Sequence, residues 1–135
     1  MSDSLINLEI VTPGRTVFAG DVKSFTAPGI EGSFQILRNH APFISTIIPG
    51  AVKFVSAGDE TKHFVTSGGT VEVHDNKITM LAESIIPVED IDIAQAEKEK
   101  TEALRIIESK EPGLDKEAAK HVLLTAKAKI KAVSA

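Results

Sequence analysis

The chain of 135 residues contains no cysteine, no tyrosine and no tryptophan. Without thiols there can be no disulfide, thiolate metal site or cysteine nucleophile, and a reducing compartment is permitted. Surplus positive charge is also missing. The formal net charge is −4, and no basic run is interleaved with aromatic residues, which argues against nucleic acid as the main partner. No segment approaches the roughly 18 consecutive apolar residues that suggest a membrane span. The opening Met1-Ser2-Asp3-Ser4 has no basic stretch followed by an apolar run, so the expectation is a soluble, untargeted chain without direct membrane insertion.

What is present divides the chain in two. All six phenylalanines lie at or before Phe64, and the first 86 residues are dense in Val, Ile and Leu, whereas the remainder is rich in Ala, Glu and Lys. One part reads β and the other α, so the expected fold class is α+β: an all-β sandwich of about ten short strands over residues 1–86, then a two-helix hairpin over 87–135. Apolar residues alternate in the first part, through Leu8 and Ile10, Val71 and Val73, Ile78 and Met80. Turn signals separate them: Thr12-Pro13-Gly14, Ala27-Pro28-Gly29, Pro49-Gly50, Ser56-Ala57-Gly58-Asp59, Ser67-Gly68-Gly69 and Asp75-Asn76.

Residues with catalytic potential do not assemble into a pattern. His40, His63 and His74 stand at no metal-ligand spacing. Gly68-Gly69 lacks the Lys-Ser or Lys-Thr of a phosphate-binding loop, and no Gly-x-Ser-x-Gly elbow surrounds Ser67. The expectation is a chain that is not an enzyme and holds no metal.

In the last part Pro87 closes a strand, and the acidic run Glu89-Asp90-Ile91-Asp92 offers an N-cap for a helix starting near Asp90 or Asp92. Ile93, Ala96, Ala103, Leu104 and Ile107 recur at helical spacing up to a stop at Ser109 to Gly113. A second helix, capped by Asp115, carries Ala119, Val122, Ala126, Ile130 and Val133 on one face. Its Lys116, Lys120, Lys127 and Lys131 fall within a sector of about 60°, a basic edge beside the apolar stripe. Packing through so much alanine is shallow, so the hairpin's position should depend on the surface it lies against, which is a basis for two conformations.

One stretch is more specific than a plain sandwich: Ala27-Pro28-Gly29-Ile30-Glu31-Gly32, followed by Asn39-His40-Ala41-Pro42. With Ile10-Val11-Thr12-Pro13, Pro49-Gly50, Ser67-Gly68-Gly69 and Leu81-Ala82-Glu83 in register, it resembles the ε subunits of bacterial and chloroplast rotary ATP synthases over essentially the whole chain. Asn39 stands where that family usually has Gly, and Ser33 and Gln35 where an acidic residue or glycine is common. The resemblance implies a non-catalytic central-stalk subunit of a proton-translocating complex, peripheral on the cytoplasmic face of a bacterial inner membrane or on a thylakoid membrane. Its sandwich would bind the γ subunit and the c-subunit ring, with Arg38 and His40 toward γ and Glu31 and Ser33 toward the ring. The second helix would reach the α/β head through Lys116, Lys120, Lys127 and Lys131 and oppose ATP hydrolysis. The family's ATP-sensing motif is of the form Ile/Leu-Asp-x-x-Arg-Ala, and here it reads Ile91-Asp92-Ile93-Ala94-Gln95-Ala96. Gln95 replaces the arginine and cannot clamp phosphate oxygens with a bidentate charged pair, so no cofactor is expected and Asp92 is read as a helix cap. The alternative is a free-standing sandwich that binds protein and oligomerises through its hairpin.

Overall fold

The computed structural model describes residues 4–134; Met1 to Asp3, part of the opening read above, and Ala135 lie outside the described residues. Seven strands come first: β1 (Ile6–Thr12), β2 (Arg15–Gly29), β3 (Gly32–Ile36), β4 (Phe43–Ile47), β5 (Gly50–Ser56), β6 (Thr61–His74) and β7 (Lys77–Pro87). A 3₁₀ turn at Val88–Asp90 leads to α1 (Ile93–Glu108) and α2 (Lys116–Ser134).

Alternation decides which side of each strand is buried. Ile6, Leu8 and Ile10 of β1 and Ile78 and Met80 of β7 are fully buried, and they meet in a parallel pairing that sets Leu8 against Ile78 and Ile10 against Met80. The β1–β2, β2–β5, β5–β6 and β6–β7 pairings are antiparallel, and with β1–β7 they close a ring of strands. Closure leaves fewer unpaired edges than an open sheet of the same strands. The core it encloses is led by Phe25 and Phe54. Phe18 and Phe64 flank Phe54, with ring centroids 4.5 and 5.7 Å away.

The strands number seven instead of about ten because two turn signals lie inside long strands. Pro28 has no N–H to give, but its carbonyl accepts the Ile48 N–H at 3.0 Å. Gly29 continues β2 because a Cβ there would stand 2.9 Å from the Phe34 ring, space that only glycine leaves. In β6, Gly68 and Gly69 take φ of 129° and 150° and form an irregularity in the pairing with β7. Buried Thr66 fills it: its hydroxyl donates to the Ser84 carbonyl at 2.8 Å and accepts the Gly68 N–H at 3.1 Å. Such a bulge bends a strand without ending it.

The helices begin and end as their sequences dictate. Asp92 accepts the Gln95 N–H at 3.1 Å and Asp115 that of Ala118 at 3.0 Å, each satisfying a first-turn donor that has no partner within the helix. Gly113, with φ of 86°, makes the turn between them. The expected stripes of large aliphatics are only partly covered, since Ile93 and Val122 are both 42% exposed. The buried helical residues are Ala96, Ala103, Ala119 and Ala126. A buried methylene-sized group is worth about 0.8 kcal/mol, so these four methyls contribute only about 3 kcal/mol. Lys129 reaches Glu99 across the helices at 3.6 Å. The second helix leans on β5, β6 and the 3₁₀ turn, while α1 packs chiefly on α2. The buried core cluster includes no residue of either helix.

Candidate functional site

The loop after β3 holds Arg38 and His40. Asn39 sits in the left-handed region with φ of 63°, a conformation that glycine takes freely and asparagine tolerates. Its N–H donates to the Asn76 side-chain oxygen at 2.8 Å, and the Asn76 amide donates in turn to the Leu5 carbonyl at 3.0 Å. The loop is thereby tied to the β6–β7 turn and the entry of β1. His40 Nδ1 lies 2.8 Å from the Ala41 carbonyl, and the imidazole stands edge-on to Phe43 with centroids 5.5 Å apart. The ring is thus oriented by its own loop, while Arg38 is exposed.

Glu31 and Ser33 occupy the tight β2–β3 connection, closed by the Gly29–Gly32 pair, and both are exposed. Five residues of β3, about 13 Å of strand, separate this turn from the loop of Arg38 and His40. The structure therefore sets these residues at the two ends of one strand and does not gather them into a cluster.

Across the outer surface of the sheet runs a row of aliphatic and threonine side chains that pattern reading did not single out. Thr46, Thr70, Leu81 and Val11 lie side by side across β4, β6, β7 and β1. Ile30 extends the row by donating its N–H to the Thr46 carbonyl at 2.9 Å. In the adjacent row Ile44 neighbours Glu72, Thr79 and Glu9. Ile44, Ile30 and Leu81 are 72%, 63% and 53% exposed. The face spans about 19 Å at ordinary strand spacing. Its signal lay in the sequence, because Ile44 and Leu81 fall on the polar phase of strands whose other phase is already apolar.

On α2, Lys116, Lys120, Lys127 and Lys131 are all exposed, and Lys120 meets Glu117 at 3.2 Å. On α1, Gln95 lines an open groove of about 530 Å³ with Ala103, Ile106, Ala119 and Val122. The Asp92 carboxylate is engaged in capping. Further along α1, Arg105 donates two hydrogen bonds to Glu102. That bonding holds the Glu102 carboxyl below the usual range and raises the guanidinium. Among the described residues no three His, Cys, Asp or Glu side chains group as metal ligands, and no helix is long and apolar enough to cross a membrane.

The β-sandwich matches a known family model. Residues 5–88 match the ATP synthase, Delta/Epsilon chain, beta-sandwich domain. The chain belongs to this ATP synthase delta/epsilon family. Among its relatives, the ATP synthase epsilon chain of Pelotomaculum thermopropionicum is 47% identical over 97 residues, covering 72% of each chain. That of Syntrophomonas wolfei is 33% identical over 132 residues, covering 98% of this chain and 96% of its own. The same fold occurs in a chain of the Euglena gracilis mitochondrial ATP synthase, solved as an OSCP/F1/c-ring assembly, with a TM-score of 0.86, 21% identity, and coverage of 96% and 81% of the two chains. Membership thus extends beyond the sandwich into the helical part, since the Syntrophomonas alignment runs almost the whole length.

Proposed function

We propose that the chain is a non-catalytic central-stalk subunit of a rotary ATP synthase, in which residues 1–86 couple γ to the c ring and residues 87–135 restrain ATP hydrolysis. The observation that carries this is the separation of the two parts. The apolar core closes without any helical residue, and the helices lie on it with only alanines fully buried. A rigid slab can hold a rotating shaft while a weakly anchored tail changes position beside it.

Three exposed large aliphatics on one face, Ile30, Ile44 and Leu81, set among Thr46, Thr70 and Glu72, support the coupling role, since such surface favours a protein partner. Arg38 and His40 border this face toward γ, and Glu31 and Ser33, at the other end of β3, project toward the c ring. The exposed lysine edge of α2 is suited to an acidic surface of the α/β head. The complex sits at the cytoplasmic face of a bacterial inner membrane, or on a thylakoid membrane, with this subunit peripheral to the bilayer. Asp92 serves the helix start, and nucleotide is not required.

Reconstitution of the synthase with the chain ending at Pro87 tests both roles together. Proton-driven ATP synthesis should persist while ATP hydrolysis rises. Unchanged hydrolysis would refute the restraining role, and loss of synthesis with the sandwich bound would refute the division of labour.

A further inference from the structure

We infer that His121 and Glu83 form a proton-dependent clasp that holds α2 against the sandwich. His121 Nε2 lies 3.3 Å from Glu83 Oε2, joining the helix to β7. Gly68 makes the approach possible. A Cβ at Gly68 would stand 3.2 Å from Glu83 Oε2, 3.8 Å from His121 Cε1 and 3.0 Å from the Ile47 carbonyl. The bulge in β6 thus leaves the notch across which the carboxylate reaches the imidazole. The inference rests on the reading of the tail as a movable restraint, and it names what regulates its position.

The clasp carries charge on both sides only while His121 is protonated. An imidazole and a carboxylate at this distance attract as opposite charges only with the ring protonated, so the pair holds α2 more firmly in acid than in alkali. Glu83 is the acid facing His121 from the sheet; β6 presents Gly68 at this point. Glu117 lies one turn earlier on α2 but meets Lys120. On α1, Glu99 meets Lys129, two turns further along. Lys53 of β5 pairs in register with His63 of β6, five residues from Gly68 and about 17 Å along the strand. Glu60, Lys62, His63 and Glu89 surround a cavity beside Ala132, about 16 Å along the helix from His121. His63 is thus the other histidine near α2, at the far end of the contact.

Both clasp side chains keep contact with water, 46% and 60% exposed, so the pair changes the docking equilibrium by a factor of about two to five. That suffices where the rest of the contact is shallow. The mobile tail would then leave the sandwich more readily as pH rises.

The test uses the full-length chain labelled at Glu72→Cys and Lys127→Cys, which carry the only thiols because the natural sequence has no cysteine. Pulsed electron-spin distances then count docked and released helices. Between about pH 5.5 and about pH 8 the docked-to-released ratio should fall by about two- to fivefold. Glu83→Gln and His121→Gln should each flatten that dependence, and His63→Gln should preserve it. A Glu83→Gln profile equal to that of the parent chain, or flattening by His63→Gln alone, would overturn the clasp while leaving a movable tail intact. A chain with no released population at any pH would overturn the movable tail as well.

Discussion

Gly69 is the residue on which the course of β6 depends most. Its φ is 150°, and a Cβ would be driven to 2.0 Å from the Leu81 carbonyl oxygen. Gly69→Ala should therefore destabilise the chain by about 3 kcal/mol or more, read as a lowered midpoint in urea; a variant of unchanged midpoint would contradict the assigned strand path. Other single residues were legible from sequence because their roles are local. Asp92 and Asp115 as caps follow from side chains that serve their own backbone. His121 and Lys129 were not, because each acts across a tertiary contact. A hint existed in His121, Thr125, Ala128 and Ala132, a second stripe at helical spacing. Small and polar residues make such a stripe hard to distinguish from a solvated face.

At the scale of elements, the sandwich and the hairpin could be read from periods of two and 3.6, but the strand count could not. Ala27-Pro28-Gly29 and Ser67-Gly68-Gly69 look like turns, yet they lie within β2 and β6 because neighbouring strands supply what the sequence withholds there. Pro28 uses its carbonyl toward Ile48, and Thr66 seals the bulge beside Gly68. Of the expected helical stripes, Ala96, Ala103, Ala119 and Ala126 are buried, whereas the branched Ile93, Val122 and Val133 stand partly open. The basic edge of α2 is exposed, with Lys120 held by Glu117, and the proposed restraint gives it a use when a partner approaches. Reversing Lys120, Lys127 and Lys131 to Glu should raise ATP hydrolysis by the assembled enzyme a few-fold without lowering its synthesis. Hydrolysis equal to that of the parent assembly would rule out an electrostatic contact by this edge.

For the molecule as a whole, the proposed coupling and restraint require rigidity and mobility in different segments of one short chain. The ring of strands buries Phe25 and Phe54, and exposed Ile30, Leu81 and Ile44 on its outer surface form the docking face proposed for a partner. Exchanging Arg38 and His40 for Glu beside that face should weaken γ binding by about tenfold while the unfolding midpoint stays put; unchanged affinity would move the γ contact elsewhere. In the proposed division of labour the tail adds little to the stability of the slab. Native-state hydrogen exchange on the intact chain measures this directly. Amides of α1 and α2 should open with a free energy lower by about 3 kcal/mol or more than those of β1, β6 and β7, with the strands still protected when the helices exchange. A single opening free energy shared by helices and strands would mean one cooperative unit, and the separation of slab from tail would be wrong.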